Sequence, residues 1–256
     1  MVLLYHVLSL LLIVAQVGDQ DVNDCITAYR NETVDALKRR MPPLATNPAF
    51  RESIHRGLPP AVVKAKIDDP EVTKQLRIIF EPLLALYGRS QAYDLIIVKN
   101  SAPLMMSDSG VVLVVTTGMI QQATSDDELL GYAAHEIGHE YFVFYSVESR
   151  HLIQTISERG KERALHRRME EMLSLIELQC DAFAAITLAR LNRNPLEFIR
   201  GIERVEQHYS QQNWNGHPFV ELRRRVVEGV APRSLLIPSH KSNALWQLKL
   251  LLAKTG

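Results

Sequence analysis

Residues 125–144 read Ser-Asp-Asp-Glu-Leu-Leu-Gly-Tyr-Ala-Ala-His-Glu-Ile-Gly-His-Glu-Tyr-Phe-Val-Phe. Ser125 followed three residues later by Glu128 has the form of a capping box, and Asp126, Asp127 and Glu128 suit the positive end of a helix. Leu129, Leu130, Ala133, Ala134, Ile137, Tyr141 and Phe144 recur at helical spacing, so the stretch predicts a helix that carries His135, Glu136 and His139. Residues four apart share a helix face. The two imidazoles can therefore reach one tetrahedral Zn²⁺ while Glu136 stands beside them as a base. Gly138 costs roughly 1 kcal/mol against Ala inside a helix, which predicts that another backbone element or a substrate passes close by.

Two imidazoles leave a catalytic zinc site incomplete. Downstream, the stretch Glu162 to Leu191 carries Leu173, Ile176, Leu178, Cys180, Phe183, Ala184 and Ile186 in the pattern of a largely buried helix, with Glu177 and Asp181 four apart in it. A bare carboxylate on such a face is costly to desolvate and needs a cation or a dense set of donors. Zn²⁺ would complete a His₂Glu set with Glu177, and Asp181 one turn on suits the free N–H of a ligand histidine. Pairing of both carboxylates with arginines such as Arg167 or Arg190 is the alternative.

Two more elements stand in order around these motifs: Gly-Val-Val-Leu-Val-Val-Thr-Thr-Gly at 110–118 before the helix, and His217-Pro218 with Arg223 after it. Together with His-Glu-x-x-His and Glu177-x-x-x-Asp181, the ordered set resembles the HtpX-like and CAAX-prenyl-protease-like zinc metallopeptidases, in their compact minigluzincin form, over about residues 92 to 230. The resemblance implies an α+β, mostly helical, zincin-like fold with a small β-sheet next to the His-Glu-x-x-His helix. It implies one Zn²⁺ per chain on His135, His139 and Glu177, with Glu136 as the base, Asp181 and Arg223 behind the ligands, and His217 stabilising the oxyanion. His217 could instead plug the metal in a resting state. The departures are Asn100-Ser101-Ala102-Pro103-Leu104, where the family has Asn-Ala and an aromatic residue, and Cys180, where it often has Ala. Cys180 reads most simply as a small packing residue.

The expected activity is hydrolysis of peptide bonds in polypeptide substrates, with Glu136 taking the proton of a metal-activated water and returning it to the leaving amine. An extended substrate is expected to add to the edge of the small sheet along Val111, Leu113, Val115 and Thr117. A zinc-binding chaperone or assembly factor without turnover is the alternative; a structural zinc domain is disfavoured because His₂Glu leaves an open position.

Composition bounds this reading. The 256 residues, 46% of them hydrophobic, can bury a sizeable core, and 29 basic against 29 acidic residues give no field that would attract nucleic acid. Arg167-Arg168 and Arg223-Arg224-Arg225 lie beside glutamates and read as solvated helix faces. Met1 to Val17 is an apolar run without Lys, Arg, Asp or Glu, read as a signal peptide over residues 1–18 ahead of a single domain at 19–256. That predicts a periplasmic or secreted quality-control enzyme. An uncleaved N-terminal anchor is the alternative, and membrane contact is expected only through it. Internal repeats are absent, and Cys25 and Cys180 allow at most one disulfide, on which the fold is not expected to depend.

Elsewhere the pattern predicts a helix near Asn23 to Arg40, a linker around Pro42, Pro43 and Pro48, and a helix opened by Asp69-Pro70, with Val72, Leu76, Ile79, Phe80 and Leu83 inward, kinked at Pro82 and ended by Gly88. Strands are expected over Tyr93–Lys99 and Val111–Thr117, and further helices over Pro195–His208, after Pro218, and near Ser242–Ala253. The Asn31-Glu32-Thr33 sequon is too common a pattern to carry weight.

Overall fold

A computed structural model of the chain describes residues 18–145, 163–210, 220–231, 238 and 243–254. The architecture is mostly helical with one three-stranded mixed sheet, an α+β fold. Met1 to Val17, where a signal peptide or anchor is expected, lie outside the described residues, as does His217. Among the described residues no helix is long and apolar enough to cross a membrane.

Where one helix is expected over 23–40, two form: α1 (Asp19–Tyr29) and α2 (Val34–Arg39). Thr33 causes the break. Its backbone is extended (φ −116, ψ 152) and its side chain accepts the Ala36 N–H, the position a threonine prefers over a helix interior. The expected linker in turn contains α3 (Pro48–Gly57) and α4 (Pro60–Ala65). Asn47 caps α3 by accepting from the Ala49 and Phe50 amides, and both helices open on a proline, which has no amide to leave unpaired there. Helix α5 (Pro70–Leu86) starts at the Asp69 cap, runs on through Pro82, and ends before Gly88 at φ +67. Its expected inward residues are all buried.

The sheet order is β1 (Asp94–Val98), β3 (Val112–Thr116), β2 (Met105–Asp108), with β3 parallel to β1 and antiparallel to β2. This corrects the expected substrate edge. Val111, Leu113 and Val115 belong to the central strand or its entry, bonded on both sides, and Thr117 opens the short helix α6 (Thr117–Gln122). The physical reason is visible in the run itself: every residue of β3 is buried, as suits an apolar strand covered on both faces. Strand β2 carries none of the β-branched residues that signal a strand. A tight turn closes it onto β3, with Val111 N–H donating to Asp108 O at 2.9 Å and Ser109 and Gly110 both left-handed at φ 54 and 68. The outer side of β1 is partly covered, since Ile67 N–H donates to Ile97 O and Lys99 N–H to Ala65 O, both at 2.8 Å. The open edge is therefore β2.

One face of the sheet (Leu95, Ile97, Met105, Leu113, Val115) joins the main core, while Ile96, Val98, Val112 and Val114 pack under Ile54, Leu58 and Val62 of the α3–α4 region. Behind the main core run α7 (Asp126–Tyr145), α8 (Arg163–Arg190), α9 (Pro195–Ser210), α10 (Val220–Val230) and α11 (Ala244–Lys254). Helices α7 and α8 form the most extensive pair. Gly138 permits their approach: a Cβ there would lie 3.2 Å from Cys180 Cα and 3.3 Å from its Sγ.

Candidate metal centre

Helix α7 is anchored at its start by tertiary bonds. Asp126 accepts the Leu245 amide at 3.1 Å, Asp127 accepts Arg193 Nη1 at 3.1 Å and the Asn194 amide at 3.2 Å, and Glu128 accepts the Thr124 amide at 2.7 Å and pairs with Arg204. Half of the expected capping box forms, Ser125 accepting the Glu128 amide at 3.2 Å, while the Glu128 carboxylate turns away to Thr124 and Arg204. The three acids thus do more than complement the helix dipole. They hold the motif helix to the starts of α9 and α11.

One turn further on, three donors converge. His135 Nε2 lies 3.1 Å from His139 Nε2, and the two oxygens of Glu177 lie 3.2 Å from one ring nitrogen each. Donors bonded to one tetrahedral ion at about 2.0–2.1 Å stand roughly 3.3 Å apart, so the three sit at the spacing of a shared metal. His135, Glu136 and His139 also form a group with ligand atoms within 4.8 Å of one another. Glu177 is the better third donor because its carboxylate touches both rings. The charge balance agrees: the carboxylates of Glu136, Glu177 and Asp181 against one guanidinium, Arg223, leave an excess that a divalent cation neutralises.

Behind the donors, His135 Nδ1 meets Asp181 Oδ1 at 2.9 Å, which leaves Nε2 free to face the metal position. Asp181 is fully buried and takes both Nε and Nη2 of Arg223 at 2.7 Å, while Arg223 Nη2 lies 3.7 Å from Glu177. Burial opposes ionisation of Asp181, but Arg223 outweighs it and holds the carboxyl below its ordinary range. Burial likewise opposes the Glu177 carboxylate, and the imidazoles of His139 and His135 outweigh it, so its pKa falls well below the usual value. The arginine partner is thus Arg223, not Arg190, and Arg223 at 5% exposure departs from the solvated face expected of it. Its neighbours Arg224 and Arg225 do pair at the surface, with Glu203 and Asp19.

Glu136 is half-buried beside the rings. Burial raises its pKa above the ordinary carboxyl value, with the His139 and His135 imidazoles pulling the other way. Its backbone carbonyl accepts the Ser107 hydroxyl from β2 at 2.8 Å. Ser107 was not legible as a site residue, nor were Tyr93 and Glu140, whose side chains meet at 2.6 Å on the next turn of α7. The only signal for Glu140 is a fourth ionisable residue directly after His139. Cys180 packs with no exposure against Gly138, and burial raises its thiol pKa well above the ordinary range. Cys25 is likewise free and buried, pushed up to about 12 by burial and then by Asp181. Both are inert packing thiols.

No protein-family model and no curated relative matches the chain.

Proposed function

We propose that the chain is a zinc-dependent endopeptidase of zincin-like build, acting on extended polypeptides. The observation that carries this reading is the convergence of His135 Nε2, His139 Nε2 and the Glu177 carboxylate within 3.1–3.2 Å, with Glu136 beside them. His135, His139 and Glu177 would hold the ion, and three protein donors leave a fourth position open, as catalytic sites require and structural sites avoid. Zn²⁺ bound there supplies Lewis acidity, polarising a peptide carbonyl and making water acidic. Glu136 accepts the water proton and delivers it to the leaving nitrogen. Asp181 keeps His135 in one tautomer, and Arg223 keeps Asp181 ionised. The β2 edge, lying against α7 at Glu136, is the place for the substrate backbone to add as a further strand.

The test is metal analysis of the purified protein together with digestion of denatured casein, with and without a chelator. Bound zinc with chelator-sensitive cleavage supports the reading. Bound zinc without cleavage would make the chain a non-catalytic zinc binder, and absence of zinc affinity would remove the proposal.

A further inference from the structure

The sheet and helix α7 are joined at two points one helical turn apart, one on β2 and one at the residue before β1. The Ser107 hydroxyl donates to the Glu136 carbonyl oxygen at 2.8 Å, and Glu140, which follows His139, accepts the Tyr93 hydroxyl at 2.6 Å. The tip of the β2–β3 hairpin rests on that second point: a Cβ on Gly110 would lie 3.2 Å from Glu140 Oε2 and 3.7 Å from Arg89 Nη1. Ser107 and Tyr93 are each 1% exposed, so neither contact is a solvated surface bond that water could replace at no cost.

Ser107 also belongs to the open edge. Thr116 N–H bonds to Leu104 O at 3.0 Å, and the alternation of an antiparallel pair then turns the backbone N–H and C=O of Met105 and Ser107 outward. Among the described residues no backbone group pairs with them from that side, while the Ser107 N–H is directed at the Glu136 carboxylate. Ser107 therefore meets Glu136 twice at the edge where a peptide would add, its hydroxyl on the backbone carbonyl and its N–H on the carboxylate.

We infer that Ser107 and Glu140 are positioning residues that hold the β2 edge in a single register against Glu136. A polypeptide added to that edge then presents one peptide bond to the site and not the bonds two residues to either side. The inference rests on the peptidase reading and deepens it, because strand pairing repeats every two residues and nothing in an edge by itself forbids a two-residue slip.

The experiment maps, by mass spectrometry, the bonds cut in denatured β-casein by the zinc-loaded parent and by Ser107→Ala, Glu140→Gln and Tyr93→Phe at matched zinc content. The variants are expected to add cuts displaced by two residues from the parental ones and to lose about tenfold in kcat/KM, the order of loss that slight misplacement of a reacting bond brings. A loss of folding or metal alone would reduce the amount of cutting and leave its positions unchanged. If Ser107→Ala fails to fold, Glu140→Gln and Tyr93→Phe carry the same test from the other point. Variants that cut at the parent's positions with the parent's kcat/KM overturn the inference, as do variants whose only change is slower cutting at those positions. A parent that cuts nothing overturns the peptidase reading instead, and the two failures are told apart by the parent arm.

Discussion

Arg223 and Asp181 form a buried two-bond pair, Nε to Oδ2 and Nη2 to Oδ1, both at 2.7 Å, and Oδ1 is shared with His135 Nδ1. The pair is the base of the metal site. Arg223→Met leaves Asp181 as a buried carboxylate with no guanidinium, and such a loss costs about 3–5 kcal/mol. It should also weaken metal binding by about 10- to 100-fold, as loss of a supporting partner does. Arg223→Lys should rescue little, since an ammonium cannot match the two-point geometry. Urea unfolding and a metal titration check both expectations.

Glu177 and Asp181 sit one turn apart on α8 and should fail differently. Glu177→Ala removes a donor that touches both imidazoles at 3.2 Å, so zinc should be lost on desalting. Asp181→Asn keeps a hydrogen-bond acceptor for His135 and should retain zinc with affinity lowered about 10- to 100-fold. Equal and negligible effects on metal content would place the third donor elsewhere.

Glu136→Gln preserves the shape of the base and leaves the donors of His135, His139 and Glu177 in place. Zinc content should match the parent, while casein hydrolysis falls by at least about 10²-fold, the scale of a lost general base. Parental turnover by this variant would remove Glu136 from the mechanism.

The metal-free chain should respond to pH in a way the loaded chain does not. Burial opposes charge on His135, but its bonds to Asp181 and Glu177 outweigh that and raise its pKa from 6.5 to about 9. A raised folded-state pKa means a contribution that is full below 6.5 and is lost as pH climbs through about 9. Chelated protein should therefore lose stability over that interval. Glu177 and Asp181 have the opposite sign: their depressed pKa values stabilise above the ordinary carboxyl range, and that contribution goes as pH falls below it. Zinc-loaded protein, whose His135 must be neutral, should show no decline between 6.5 and 9. Thermal unfolding of both forms across pH is the measurement.

Gly138→Val should separate α7 from α8. The first added carbon already meets Cys180 Cα at 3.2 Å and Sγ at 3.3 Å, tighter than ordinary van der Waals contact, and valine adds two more carbons to it. A destabilisation of about 1–3 kcal/mol is expected from such overpacking, more than the better helix propensity returns. Because the same contact sets His139 against Glu177, metal affinity should fall with it. Unfolding curves with and without zinc test both parts.

The sequence by itself determined the parts whose cause is local or periodic. Helical spacing and the acids at 126–128 placed α7, a buried stripe placed α8, Asp69-Pro70 placed the start of α5, and a four-residue repeat put His135 and His139 on one face. The desolvation cost of a carboxylate on an apolar face was enough to single out Glu177 and Asp181. Tertiary structure decided what depends on partners distant in the chain. The break at Thr33 turns on a side-chain cap winning over helix continuation. The central place of β3 depends on β2, a four-residue strand closed by a Ser-Gly turn that carries no strong strand signal. Asp126, Asp127 and Glu128 look like dipole partners in the chain and become anchors only when α9 and α11 arrive. Arg223 resembles its solvated neighbours until α10 packs beside α8 and leaves Asp181 as its nearest anion. Ser107 and Glu140 acquire meaning only where a strand edge meets the motif helix, because such a register arises in space and has no spacing in the chain to announce it.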